Sequence, residues 1–285
     1  MQGYILYICY MKRFRYISAM ALSAALLIMG CGGTTIKKGN TTPKTTSQHT
    51  ERRMVIAKLY DYNIVAEHPH STHSYTQGLQ YVDGVMWEGT GREGRSHLQR
   101  LDLKTGAVDV VATLPEDEFG EGITHYKGKI YQLTWENHKA YLYDNKGNLV
   151  KSIPYRGEGW GITTDGESLY MSDGTSTIRQ VNPDSFATEK SICVTLNGEP
   201  LHMLNELEWV DGRIWANVYL TDAVVEIDPS TGVVVGIVDF TQLRDRLYKN
   251  PEAEAFNGIA YNAETGNFYV TGKDWNRLFE IEIIR

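Results

Sequence analysis

From Val55 to Arg285 apolar residues come in short runs broken by Gly, Asp, Asn and Lys, and the runs repeat. Four units open on Gly78-Leu79, Gly122-Ile123, Gly161-Ile162 and Gly258-Ile259, while a fifth, fourth in order, reads Glu206-Leu207-Glu208 with Leu207 in the glycine's place. The openings at 78, 122, 161, 207 and 258 are 44, 39, 46 and 51 residues apart. Self-similarity at that period marks a repeat architecture. A turn glycine follows each opening: Gly84, Gly128, Gly166, Gly212 and Gly266. Glycine supplies the positive φ of a tight hairpin, so each joins two antiparallel strands. A third strand ends near Asp102, Asp144, Asn182, Asp228 and Glu282, and turns such as Lys104-Thr105-Gly106 and Ser230-Thr231-Gly232 lead to a fourth.

Four short strands per unit and five units predict an all-β, five-bladed β-propeller over residues 53–285. A β-sandwich would carry no such self-similarity. The fifth unit stops after its third strand. The apolar segment Met54–Ala66 is therefore expected to pair with the strand near 277–283, close the ring and cover an open edge. Gln242–Lys249 reads as a short inserted helix.

Upstream, Lys12, Arg13 and Arg15 precede a 15-residue run of mostly apolar and small residues, Tyr16–Gly30. That is short for a membrane span and suits an export signal over residues 1–30. Leu27-Ile28-Met29-Gly30-Cys31 resembles a bacterial lipobox with Cys31 as the lipidated residue; an ordinary cleaved signal is the alternative. Met11 is an alternative start to Met1. The polar, Thr-rich stretch 31–52 reads as a tether. These features predict an exported, membrane-anchored lipoprotein facing the periplasm or cell exterior. Apart from Cys9 and Cys31 only Cys193 remains, so no intramolecular disulfide is expected in the body.

Composition adds two limits. Aromatics make up 11% and glycine numbers 27, in keeping with strands and tight turns. The net charge is -7, and -10 once residues 1–30 and their three basic side chains are removed, which disfavours a nucleic-acid partner. A monomer touching the membrane through its lipid alone is expected.

Seven residues beyond each turn glycine stand Gly91, Trp135, Asp173, Tyr219 and Lys273. The antiparallel first strands begin at the same end, with Gln77, Glu121, Trp160, Asn205 and Asn257. One mouth of the ring should gather these groups into an aromatic pocket with a few convergent polar side chains.

The segments Ser74–Leu79, Glu88–Ser96, Phe119–Thr124, Gln132–Trp135, Gly157–Gly161, Leu204–Trp209, Ala216–Val218 and Thr271–Lys273 together resemble the glutaminyl cyclases of plant and bacterial type. That family consists of five-bladed propellers that convert N-terminal glutamine to pyroglutamate. The resemblance implies Glu121 as the acid/base residue and Gln77, Asn205 and Lys273 as its polar partners. Trp135 and Trp160 would be walls, with Tyr75, Phe119 and Tyr219 also lining the substrate. Tyr75, Gly89 and Tyr219 stand where the family often has Phe, Ser and Trp. The chemistry agrees: the α-amine attacks its own side-chain carbonyl and expels ammonia, which needs a proton shuttle and an oxyanion donor, here Lys273 or Asn205.

No cofactor is required by this chemistry, although inward carbonyls and carboxylates suit a structural calcium on the propeller axis. His68, His70 and His73 could be read as a metal site, but the intervening Pro and short polar residues predict a loop. Glu116-Asp117-Glu118, Glu252 and Glu254 read as solvated loop charges. Two other readings stand beside the cyclase: a non-catalytic surface propeller binding peptide or glycan, and a metal-dependent propeller hydrolase or lactonase.

Overall fold

The computed structural model describes residues 55–285; the export segment, Cys31 and the tether lie outside the described residues. The strands run β1 (Lys58–Pro69), then β2 (Thr76–Val82), β3 (Val85–Thr90), β4 (His97–Leu101) and β5 (Val108–Thr113). Next come β6 (Gly120–Tyr126), β7 (Lys129–Thr134), β8 (Lys139–Asp144) and β9 (Leu149–Pro154). The third set is β10 (Ile162–Thr164), β11 (Leu169–Met171), β12 (Thr177–Val181) and β13 (Thr188–Cys193). A two-residue pair, β14 (Thr195–Leu196) and β15 (Glu199–Pro200), precedes β16 (Leu204–Val210), β17 (Arg213–Val218), β18 (Ala223–Asp228) and β19 (Val233–Asp239). The last set is β20 (Phe256–Asn262), β21 (Asn267–Gly272) and β22 (Arg277–Ile284). The predicted inserted helix is a shorter 3-10 segment, Thr241–Arg246.

The hairpin glycines fall where the sequence put them. At Asp83-Gly84 both residues have positive φ, 50° and 79°, as the tight antiparallel hairpin demands. The first three sets are separate four-stranded antiparallel sheets. The remaining strands form one ten-stranded sheet, where separate blades were expected. The cause is β1. Its residues Asp61–Pro69 pair antiparallel with Arg277–Ile284, as predicted, but Lys58–Tyr60 also run parallel to Gly236–Val238 of β19. The Tyr60 ring fills the place a side chain at 236 would need, and its hydroxyl donates to Glu226 at 2.7 Å.

The first strand of each set packs against the next in cyclic order: β2 on β6, β6 on β10, β10 on β16, β16 on β20, and β20 on β2. The approach is backbone to backbone. A Cβ on Gly78 would lie 2.4 Å from Ile123 N, one on Gly122 2.7 Å from Trp160 O, and one on Gly161 2.1 Å from Asn205 O and 2.8 Å from Glu206 Cα. Glu206, not Leu207, therefore occupies the glycine's place in the fourth unit, because Leu207 is a core residue like Ile123 and Ile162. These strand edges have no ladder partner, and side chains of the neighbouring set satisfy them. Gln80 accepts from His125 N (2.6 Å), Thr163 from Trp209 N (2.9 Å), Glu208 from Tyr261 N (3.1 Å), and Glu206 from both Ile259 N (2.8 Å) and Leu79 N (3.3 Å). Between neighbouring sets lie five apolar clusters, the largest built on Trp215, Phe240, Phe256, Phe268, Trp275 and Phe279.

Two sequence readings are corrected. His68 lies in β1, not in a loop, with Nδ1 on Leu103 O, while His70 is buried against Glu88 (3.0 Å) and Trp275 O (2.8 Å) and His73 is exposed; the three do not converge. Glu118 is not a solvated charge: it is buried, accepts from the Tyr141 hydroxyl at 2.8 Å and pairs with Lys139. Glu116, Asp117, Glu252 and Glu254 are exposed as expected.

The His70–Glu88 pair ties the end of β1 to β3, and Glu88 also accepts from Thr76 (2.6 Å) and Gln99 (2.7 Å). Burial would push His70 down and Glu88 up, but their mutual charge and hydrogen bond overcome it, so His70 is raised and Glu88 lowered. The contribution of His70 is full below its ordinary 6.5 and is lost as pH rises through its elevated folded value. That of Glu88 is full above 4.5 and is lost as pH falls through its depressed value.

Two outcomes follow. Gly161→Ala should lower stability by about 1–3 kcal/mol or more, since the new methyl meets backbone that cannot swing aside. An unchanged urea midpoint would contradict the close approach. Glu88→Gln should cost about 3–5 kcal/mol by leaving His70 buried without its counter-charge. Thermal melts across pH should then lose the wild-type stability gain between 4.5 and 6.5.

Candidate active site

At the end where the first strands begin, five aromatic rings form an arc. Tyr75 meets Phe119 edge-on at 6.1 Å between ring centroids, Phe119 meets Trp135 at 5.8 Å, and Trp160 meets Tyr219 at 5.7 Å. Glycines make room for them. A Cβ on Gly91 would lie 2.4 Å from the Phe119 ring, and one on Gly174 2.6 Å from the Trp160 ring. Lys273 Nζ joins the ends of the arc, 4.5 Å from the Tyr75 ring centroid and 4.9 Å from that of Tyr219.

Inside the arc the polar groups converge. Lys273 donates to Gln77 Oε1 at 2.5 Å, and Asn257 Nδ2 donates to Thr76 O at 3.1 Å and approaches Gln77 Oε1 at 3.4 Å. Gln77, Glu121, Asn205 and Lys273 are each no more than 5% exposed. Glu121 Oε2, Asn205 Oδ1 and Asn257 Oδ1 are buried without a hydrogen-bond partner among the described residues. Buried polar atoms are normally paired, so these three open ones are groups left free to bind a polar ligand. The structure thus brings together the predicted Gln77, Asn257 and Lys273, sets Glu121 near enough to Lys273 to feel its charge, and buries Asn205. Asp173 turns aside, accepting from Thr175 and approaching Arg179 at 3.6 Å.

Burial governs the charges. It lifts Glu121 well above the usual carboxylate range, opposed by the charge of Lys273 and reinforced by that of Glu158. Burial also pushes Lys273 down to about 8, with Glu121 and Glu254 pulling the other way. Loss of water thus makes the carboxyl a weaker acid and the ammonium a stronger one, and the two are close enough to sense each other.

Several neighbours were not singled out in the sequence. Arg92 stacks on Tyr75 at 4.3 Å and pairs with Asp274 (2.6 Å) and Glu254 (2.8 Å), tying the β3–β4 loop to the last set. Glu158 accepts from the indole N–H of Trp135 at 2.7 Å and of Trp160 at 2.9 Å. The repeat register carried a signal for it. Three residues before the glycine of each opening stand Tyr75, Phe119 and Glu158, so the third unit puts a carboxylate where the first two put rings.

Among the described residues no three His, Cys, Asp or Glu side chains are arranged to hold a metal ion. Where three innermost strands meet, both carboxyl oxygens of Glu206 face backbone amides, a donor set that does not suit the expected axial calcium at that point.

Comparison with known proteins identifies the family. The family model described as glutamine cyclotransferase matches residues 37–283. The chain is 34% identical over 232 residues to the glutaminyl-peptide cyclotransferase of Arabidopsis thaliana, covering 79% of this chain and 72% of that one. It is similar in structure to the glutaminyl cyclase of Myxococcus xanthus, with a TM-score of 0.73, 34% identity, and coverage of 80% of this chain and 98% of that one. With a buried acid, a buried amine and an aromatic wall held together by an all-β frame, and with both a plant and a bacterial relative matched over most of their length, the chain belongs to the glutamine cyclotransferase family.

Proposed function

We propose that this protein cyclises the N-terminal glutamine of peptides or proteins to pyroglutamate and releases ammonia, in a pocket at one mouth of a five-bladed propeller. The cyclic packing of five first strands and the five apolar clusters between neighbouring sets support the blade count. The observation that carries the activity is Glu121: a fully enclosed carboxyl with an open Oε2, beside Lys273 and walled by aromatic rings.

Lifting the Glu121 carboxyl above its ordinary range lowers the cost of exchanging a proton with the substrate's α-amine, ordinarily near pKa 7.7–8.0. Entering ionised, Glu121 takes a proton from the amine as the new N–C bond forms at the side-chain carbonyl. It returns that proton to the amide nitrogen as the old C–N bond breaks and ammonia leaves. Lys273 and Asn205 flank the pocket to donate to the oxygen that becomes negative between those steps. Tyr75, Phe119, Trp135, Trp160 and Tyr219 exclude water and hold the glutamine folded, so that attack is intramolecular. No cofactor enters the reaction, and any calcium on the axis would act only on the fold.

We propose in addition that the protein is exported, cleaved after Gly30 and anchored as a monomer through lipid on Cys31, with 31–52 as the tether to the 53–285 domain. The support is the basic segment, apolar run and lipobox of the sequence.

Ammonia release from a glutamine-led dipeptide tests the activity. Glu121→Gln keeps the size of the side chain but cannot carry the proton, so kcat should fall about 10²–10⁴-fold with KM changed far less. Lys273→Ala should lower kcat about 10²-fold. In the wild type kcat should fall above pH about 8 as Lys273 loses its proton. Near-normal turnover by Glu121→Gln would remove its role. Activity abolished by a chelator and restored by zinc would point to metal chemistry instead.

Cys31→Ser should move the protein from membranes to the soluble fraction without changing turnover per molecule, because the tether separates lipid from pocket. A wild-type protein that incorporates no labelled fatty acid would overturn the anchor.

A further inference from the structure

The aromatic arc has one break. Ring contacts link Tyr75, Phe119 and Trp135 on one side and Trp160 and Tyr219 on the other. The break between Trp135 and Trp160 is spanned by a single carboxylate oxygen, Glu158 Oε2, which accepts from both indoles at 2.7 and 2.9 Å. We infer that Glu158 is a positioning residue of this pocket, whose carboxylate clamps Trp135 and Trp160 into one wall and sets the spacing in which the substrate's flat side-chain amide is held.

The clamp is itself held in place. Arg179 Nη1 and Nη2 donate to the carbonyls of Arg156 and Glu158, each at 2.8 Å, and His138 Nδ1 lies 2.7 Å from Gly157 O. A Cβ on Gly159 would strike the Tyr155 hydroxyl at 2.4 Å, so the segment sits tightly on the third set. The carboxylate is thus presented from an anchored backbone. Trp135 needs such a partner. It is 36% exposed, with one face on Phe119, whereas Trp160 also rests against Gly174. A charged acceptor makes each indole bond stronger than a neutral one would. The two ends of the arc are joined by a cation, Lys273, over the faces of Tyr75 and Tyr219. The two links differ in chemistry. Lys273 uses ring faces and is itself inside the polar group of the site, while Glu158 uses indole edges and stands half-buried behind the rings.

The inference rests on the cyclase reading of this pocket, and its test separates the two. Glu158→Ala removes the acceptor, while Glu158→Gln removes the charge but leaves an amide oxygen able to accept both indoles. With a glutamine-led dipeptide, Glu158→Ala should raise KM about 10-fold or more with a smaller change in kcat. Glu158→Gln should recover most of that loss. Acrylamide quenching of indole fluorescence should rise in Glu158→Ala and fall back toward wild type in Glu158→Gln, whether or not any substrate turns over. A double-mutant cycle of Glu158→Ala with Trp135→Phe, which lacks the N–H, should show strong non-additivity in KM. The clamp is overturned if Glu158→Ala keeps wild-type KM and quenching, or if Glu158→Gln is as impaired as Glu158→Ala. Failure of the wild-type protein to release ammonia would instead strike the cyclase reading and leave the fluorescence comparison to decide the clamp.

Discussion

The structure depends on how closely the first strands of the five sets approach one another. At Gly78, Gly122 and Gly161 backbone meets backbone at distances that leave no room for a side chain. Edges brought together in this way cannot all be paired in ladders, and an unpaired buried amide is costly. Neighbouring side chains supply the missing acceptors. Glu206, standing where the other openings have glycine, accepts from the amides of Leu79 and Ile259 and so links three sets at once. Burial raises its carboxyl well above the ordinary range, with the charge of Glu208 adding to the effect. One carboxyl replaces the close contact that glycine provides elsewhere.

That packing also builds the site. The residue before each of these positions is carried to the same end, so Gln77, Glu121, Trp160, Asn205 and Asn257 arrive together because the glycines let the strands close. Enclosure then does the electrostatic work. Glu121 and Lys273 are shifted in opposite directions by the same loss of water, and each partly restrains the other. In the proposed reaction these shifts fit Glu121 and Lys273 to the parts of proton shuttle and oxyanion donor. Two of the aromatic rings, Tyr75 and Tyr219, lie against the Lys273 amine and share in its enclosure.

Around this core the ring is fastened at its seam. β1 pairs with β22 and reaches over to β19, and just beyond it His70 is buried against Glu88 while Arg92 ties the β3–β4 loop to Asp274 and Glu254. The seam lies next to Tyr75, Gln77 and Lys273, so the same contacts that close the ring hold part of the pocket.

The sequence by itself determined the repeat, the five hairpin turns, the pairing of the N-terminal strand with the last one, and the end of the fold at which the functional side chains meet. These are consequences of local rules: glycine at positive φ, alternation along strands, and register counted from a turn. Resemblance to the glutaminyl cyclases singled out Glu121, Lys273 and Asn205; the structure buries all three and sets Glu121 and Lys273 close enough for their charges to interact. Other features required the tertiary structure. Glu206, not Leu207, proved to hold the glycine's place, because its backbone meets Gly161 while Leu207 packs in the core like Ile123 and Ile162. Asp173 left the expected cluster for Arg179, and Glu118 was buried by Tyr141 and Lys139. The parallel reach of β1 onto β19 depended on Gly236, opposite Lys58, leaving room for the Tyr60 ring. Glu158, His70 and Arg92 act through partners far away in the chain or across a loop, and no local pattern encodes which distant group a side chain will meet. Periodicity decides where a residue points, but only the packed fold decides what is there to receive it.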